Sequence, residues 1–286
     1  MIDLHCHLLP GIDDGSNSLA MSLAMARLAV AEGITTTACT PHIYPNLFEN
    51  EGSDIRRRVA RLADQLHAAD IPLKVTHGAD IQIVPELVAG LRSGRLPTLN
   101  GSRYFLFEPP HVVVPLAFER LIDDSLAAGY VPVITHPERL GWLSEDTYGW
   151  FVNAVFEGAW IQLTADAVTG RFGKGARRWS ERLLDDGLVH LLASDAHDDI
   201  HRPPRIGEGR RAAERWVGAA EAQRLVHDRP QAILDDRDPL GVAPPPALAD
   251  TPEPAVGGSR LGRLMGRFFA PRTTGNRDLH RVLTMD

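Results

Sequence analysis

Short apolar runs alternate along the chain with segments whose apolar residues recur every three or four positions. The runs at 2–6, 34–40, 73–79, 103–107, 130–135, 159–164 and 188–193 read as strands, being brief and bounded by turn formers. Residues 17–32 read as a helix, with Leu19, Leu23, Ala26 and Val30 on its core stripe and Gly33 as its stop. Ser53 reads as the cap of a second helix whose stripe is Ile55, Val59, Leu62, Leu66 and Ala69. Further helices are expected over 85–91, from Pro115 to near Gly129, over 145–155 and 177–186, and onward to about 234. Seven strands, each followed by a helix or helical turn, imply a parallel α/β sheet. Closed on itself, that sheet makes a TIM-like barrel one unit short of the usual eight; an open doubly wound sheet is the alternative.

The pattern stops after Leu240. Pro244, Pro245, Pro246, Pro252 and Pro254 mark a stretch poor in large apolar residues, which reads as a disordered linker. Beyond it, residues 259–272 place four arginines among Leu261, Leu264, Met265, Phe268 and Phe269. The readings here are a frayed tail and a basic amphipathic segment that meets a membrane surface or a partner. The expected division is a domain over 1–240 and a tail over 241–286.

Composition narrows the class of protein. The 286 residues are 44% apolar and 23% charged, enough for a full core, and the net charge of −7 argues against a broad nucleic-acid surface. Two cysteines make no disulfide framework, which favours a reducing compartment. Neither a secretory signal nor a long apolar run is evident, so the expectation is a cytoplasmic protein without a membrane span. The 12 histidines change the picture, because several occur in short motifs with acids.

Those motifs fall at the ends of the expected strands, where parallel α/β barrels carry their active groups. Strand one ends in His5-Cys6-His7, with Asp14 in the following loop; strand two leads to His42. Strand three leads to Asp80 and strand four to Glu108, while strand five is followed by His136 and strand seven by Asp195 and His197. Nine such donors exceed the needs of one ion and suit two or three with shared carboxylates. Mixed imidazole and carboxylate favours Mn²⁺, with Fe and Zn as alternatives.

These motifs resemble the PHP (polymerase and histidinol phosphatase) superfamily, and more narrowly its bacterial CpsB/YwqE-type manganese-dependent protein-tyrosine phosphatases of capsule and exopolysaccharide loci. The resemblance rests on Asp3-Leu4-His5-Cys6-His7 with Pro10-Gly11-Ile12-Asp13-Asp14-Gly15, on Thr40-Pro41-His42, on Thr135-His136-Pro137-Glu138-Arg139, and on Ser194-Asp195-Ala196-His197 before Arg202-Pro203-Pro204. It covers roughly 1–240 and implies a distorted seven-stranded (β/α)7 barrel, the PHP fold. It implies one ion on His5, His7, Asp80 and Asp195, a second on Asp80, Glu108 and His136, and a third on Asp14, His42 and His197, with Arg139 and Arg202 holding substrate phosphate. The chain departs from the family pattern at Asp80, usually Glu, at Gln82, usually Arg, and at Pro109, where an aromatic is common.

The activity so implied is hydrolysis of phosphotyrosine, acting on a membrane-bound bacterial tyrosine kinase of polysaccharide export. Location would be cytoplasmic, extending to the inner face of the membrane, and homo-oligomer formation is left open. A cysteine route does not fit: the residue six after Cys6 is Ile12 and six after Cys39 is Pro45, where a thiolate phosphatase needs arginine. The serine-hydrolase elbow and the nucleotide phosphate loop are also missing. Two rivals remain. One is a small-molecule phosphomonoesterase or phosphodiesterase, such as a histidinol-phosphate phosphatase; the other is a non-catalytic regulatory barrel. His77 is read as structural, His201 as a solvent-exposed loop residue and Arg205 as a competitor of Arg202, while Tyr44 and Phe48 are assigned to local loop packing and His111 to no role.

Overall fold

Proline and glycine decide where the expected strands break. In the computed structural model, which describes residues 1–249, strands β1 (Ile2–Cys6), β2 (Thr36–Cys39), β3 (His42–Ile43), β4 (Lys74–His77) and β5 (Asp80–Gln82) are all short. They are followed by β6 (Tyr104–Glu108), β7 (Val131–Thr135), β8 (Trp160–Thr164) and β9 (Leu191–Ala193). All pairings are parallel, in one sheet ordered β1-β2-β4 and another ordered β3-β5-β6-β7-β8-β9.

The sequence expectation of seven strands thus meets nine strands in two sheets, with no closed barrel among the described residues. Expected strand two (34–40) is β2, and past Pro41, which has no N–H for the ladder, the chain pairs again as the unexpected β3. Expected strand three (73–79) is β4, which ends before Gly78-Ala79, where a Cβ on Gly78 would meet Leu99 and Thr40 side chains at 2.8 and 3.0 Å. Asp80 therefore opens a strand of its own. Main-chain bonds still cross the breaks, from Gly78 N–H to Cys39 O (3.0 Å) and from Asp80 N–H to Pro41 O (3.1 Å). The first and last strands also touch: Asp195 N–H donates to His5 O (2.8 Å) and His7 N–H to Ala196 O (2.9 Å).

Alternation along the strands separates core from site. Tyr104 and Leu106, Val131 and Val133, Trp160 and Leu191 join one buried cluster with Ile2 and Leu4. Two residues beyond Leu106 the same strand face delivers Glu108, and two beyond Trp160 it delivers Gln162. In β1 the parity changes after Leu4, and a register shift between Asp3 and Cys6 falls at that point. Asp3 pins it there, accepting from Ser194 N–H (3.0 Å) and Ser194 Oγ–H (2.5 Å).

Helices match the expectation in number more closely than in phase. Leu19–Ala31 is capped by Ser18 and buries Ser22, Met25, Ala26 and Ala29; of the expected stripe only Ala26 is buried, while Leu19, Leu23 and Val30 are not. Its sequence is apolar on nearly every face, so periodicity could not choose one. Gly52–Ala68 begins one residue before Ser53 and buries Ile55, Val59, Leu62 and Leu66 as expected. Phe118–Ala127 starts beyond Pro115, whose carbonyl receives Phe118 N–H at 3.4 Å. Past Leu240 the chain remains attached: buried Arg229 donates to Ala243 O (2.9 Å) and Pro244 O (2.8 Å), and Ala247 N–H to Gly187 O (3.0 Å). The basic amphipathic segment expected at 259–272 lies outside the described residues.

Candidate metal centre

All nine expected ligands come together at the carboxyl ends of the strands. Asp80 Oδ2 is a hub, 3.3 Å from His5 Nε2, 3.5 Å from His42 Nδ1 and 3.8 Å from His136 Nε2. Asp195 Oδ1 is a second hub, 3.4 Å from both His5 Nε2 and His7 Nε2. Asp14 Oδ1 lies 3.6 Å from His42 Nε2 and 3.5 Å from His197 Nε2, and Glu108 Oε2 lies 3.3 Å from His42 Nδ1. Donor atoms within 4.8 Å of one another form the sets His5-His7-Asp80, His42-Asp80-Glu108, His7-Asp14-His42-His197 and Glu108-His111-His136.

The chemistry of this set fits divalent cations. Both oxygens of buried Asp80, Glu108 Oε2, His42 Nδ1 and His136 Nδ1 lack a hydrogen-bond partner in the protein. Buried polar atoms are seldom left so, and their mutual approaches are too poorly directed to count as hydrogen bonds. The local field also favours positive charge. Burial disfavours the His5 cation, yet Asp80 and Asp195 outweigh it and push the ring up to about 9. His42 is driven up to about 10, against burial, by Glu108, Asp80 and Asp14. His136 goes the other way, down to about 4, through burial and the neighbouring Arg139.

Around these donors, other residues set ring orientation. His5 Nδ1–H donates to Gln162 Oε1 (2.9 Å) and His7 Nδ1–H to Asp13 Oδ2 (2.7 Å). Asp13 also accepts from His42 N–H (3.0 Å) and Gly15 N–H (3.0 Å), tying the first loop to β3. Gly15 packs on His7 so closely that a Cβ there would lie 2.3 Å from the histidine Cβ. His136 and Asp195 adopt left-handed backbone, at φ 34° and 50°, which is costly for residues with a Cβ and concentrates at functional sites.

Above the donors lies a cleft of about 290 Å³, lined among others by Tyr44, Phe48, His111, Arg139 and Arg202. Arg139 donates to Asp195 Oδ2, and Arg202 reaches the same oxygen at 2.7 Å and the Asp195 carbonyl at 2.9 Å. Both guanidinium groups lie over the Phe172 ring, at 4.4 and 5.5 Å. Arg205 is turned away, bonded to Asp166 at 2.9 Å. Tyr44 and Phe48 do pair with each other's backbone, but both also line the cleft, and Phe48 stacks on His42 at 5.8 Å.

Sequence reasoning missed Asp13, Gln162 and His111. Asp13 was visible in the opening motif but eclipsed by Asp14. Gln162 gives no signal except its strand parity. His111 follows Glu108 by three residues, a spacing that has no meaning until Pro109-Pro110 turns the chain. His77 is partly buried at the end of β4, and exposed His201 sits in a loop tied to Asp198. Cys6 and Cys39 are fully buried free thiols, and burial pushes both well above the ordinary thiol value.

Comparison with known proteins finds matches over most of the chain. A family model described as capsular polysaccharide synthesis, CpsB/CapC, matches residues 1–235. The chain is 40% identical over 246 residues to the tyrosine-protein phosphatase YwqE of Bacillus subtilis, spanning 86% of this chain and 96% of that protein. It is 27% identical to the tyrosine-protein phosphatase CpsB of Streptococcus pneumoniae, spanning 83% and 99%. A chain from the crystal structures of YwqE and CpsB, described there as unique metal-dependent tyrosine phosphatases, superposes with a TM-score of 0.78 and 35% identity over 83% of this chain and 96% of its own. A β-aspartyl dipeptidase of Fervidobacterium islandicum, 15% identical with a TM-score of 0.50, shares the fold alone; the overlap covers 82% of this chain and 72% of that one.

Proposed function

Since the chain belongs to the CpsB/CapC capsular polysaccharide synthesis family, we propose that it is a metal-dependent protein-tyrosine phosphatase. The observation that carries this reading is the set of buried, hydrogen-bond-deficient carboxylate and imidazole atoms directly beneath a cleft with two arginines. His5, His7, Asp80 and Asp195 would hold one ion, Asp80, Glu108 and His136 a second, and Asp14, His42 and His197 a third. Mn²⁺ suits this oxygen-and-nitrogen set best, in two or three copies. Such ions supply Lewis acidity, lowering the pKa of water toward neutrality and offsetting phosphoryl charge.

The protein's own groups do the rest. Arg139 and Arg202 present planar donors to a phosphoryl group, which offers the kind of oxygen acceptor that Asp195 now gives them. Phe172 holds their planes, so little orientational freedom is lost on binding. Tyr44 and Phe48 give the phenyl ring an apolar wall. Gln162 and Asp13 hold the His5 and His7 rings in one tautomer. Tyrosine leaves as a phenolate with a pKa of about 10, so a strong general acid is dispensable.

The same reading treats the two sheets as one distorted (β/α)7 barrel of the PHP type. It is supported by the main-chain bonds at the breaks, Gly78 to Cys39 and Asp80 to Pro41, and by those joining the end of β1 to the residues that follow β9. The substrate would be a bacterial tyrosine kinase of capsule or exopolysaccharide synthesis, met in the cytoplasm or at the inner face of the membrane. No helix among the described residues is long and apolar enough to cross a membrane. The test is turnover of a phosphotyrosine peptide against histidinol phosphate by Mn²⁺-reconstituted protein, with His5→Ala and His136→Ala beside it. Preference for the peptide, lost in both variants, is expected. Equal rates in the variants and the parent protein would refute the reading.

A further inference from the structure

We propose that His111 is a ligand of the ion held at Glu108 and His136, an inference that rests on the metal-dependent reading above. β6 ends at Glu108, and Pro109-Pro110 turns the chain so that the third residue comes back over that carboxylate. His111 Nε2 then lies 3.5 Å from Glu108 Oε1, and its ring centroid is 5.0 Å from that of His136. One donor atom from each of the three falls within 4.8 Å of the others.

Both buried partners of His111 keep an atom free for a ligand role, and the Glu108 oxygen nearer His111 is the other one, Oε1. Glu108 is 4% exposed and His136 1%, yet Glu108 Oε2 and His136 Nδ1 have no hydrogen-bond partner. Asp80 serves this set least well, since its Oδ2 is 3.8 Å from His136 Nε2 but 3.3 and 3.5 Å from His5 and His42. His111 would add a fourth protein donor beside Asp80, Glu108 and His136.

Its backbone is fixed for that role. The His111 carbonyl receives Gly141 N–H at 2.8 Å, and the Pro110 carbonyl receives Trp142 Nε1–H at 2.7 Å. These bonds tether the loop to the segment that follows His136, so the two imidazoles hold a common frame. The imidazole itself faces the cleft and is about a third exposed, so burial does not force it against Glu108. Two imidazoles with the Asp80 and Glu108 carboxylates form a set suited to manganese, iron or zinc.

The test measures metal directly. Parent protein, His111→Ala, His136→Ala and, as a surface control from the same loop, Val113→Ala are stripped with chelator. Each is then titrated with Mn²⁺ by paramagnetic resonance, and bound metal per chain is measured after dialysis. Co²⁺ spectra of the parent and His111→Ala report loss of an imidazole from the coordination sphere. The expected result is that His111→Ala weakens one ion at least tenfold, shifts the Co²⁺ spectrum and leaves the remaining ions and Val113→Ala unchanged. His136→Ala should weaken the same ion. Identical metal affinity and spectra in His111→Ala overturn the proposal, even if its turnover falls, because that pattern marks a contact to substrate. A parent protein that binds no ion at all would instead overturn the phosphatase reading itself.

Discussion

Removing the two arginines one at a time and then together tests whether they work as one phosphate clamp. Arg139 and Arg202 converge on the same oxygen, Asp195 Oδ2, and share the Phe172 face. A hydrogen bond to a charged group is worth about 1.5–3 kcal/mol, and each ~1.4 kcal/mol is a factor of ten in rate. Arg139 is the more enclosed, with 15% of its side chain exposed against 29% for Arg202, so solvent screens it less. Arg139→Ala is therefore expected to lower kcat/KM about a hundredfold and Arg202→Ala about tenfold. Arg139→Lys should recover little, because an ammonium keeps the charge but loses the planar fork and the stacking on Phe172. Shared contacts make the double variant less impaired than the product of the singles, by a coupling of about 0.5–3 kcal/mol. The assay is steady-state hydrolysis of a phosphotyrosine peptide at saturating Mn²⁺, with bound metal measured for every variant. Arg139→Ala within about threefold of the parent at full metal content would refute the clamp, and so would a strictly multiplicative double variant.

Three further outcomes are expected. Asp13→Asn should weaken metal binding about 10–100-fold by releasing the His7 ring, and chelator competition that finds unchanged affinity would count against that role. Arg229→Met should cost about 3–5 kcal/mol in urea unfolding, since it leaves buried Glu221 with Arg224 alone and removes the donors to three backbone carbonyls; a loss under about 1 kcal/mol contradicts this. His190 is held well below its ordinary 6.5 by burial and then by Arg229, so below about pH 6.5 the unfolded chain takes up a proton that the folded one refuses. Stability should fall there by up to ~1.4 kcal/mol per pH unit, and His190→Asn should remove that increment; parallel pH profiles for the two proteins would refute it.

The order of the strands and the donors at their ends were legible because both follow from local rules, alternation within strands and placement at their carboxyl termini. His5, His7, Glu108 and His136 could be found this way. What periodicity could not give was the phase of an all-apolar helix such as Leu19–Ala31, or the two short strands β3 and β5 that follow Pro41 and Gly78-Ala79. Gln162 escaped because a glutamine gains meaning only beside His5, from which it is separated by 157 positions. His111 escaped for the opposite reason: it is near Glu108 in sequence, but a double proline sets its direction. Arg202 could be separated from Arg205 only after folding, when Asp166 claimed the latter.

The sealing of Cys6 and Cys39 has a physiological corollary. Catalysts that attack phosphotyrosine through sulfur are silenced when peroxide oxidises the thiolate. Here neither thiol reaches solvent, and burial keeps both protonated. An oxidative burst or an alkylating agent should therefore leave the enzyme running, so its output would follow metal supply in place of redox tone.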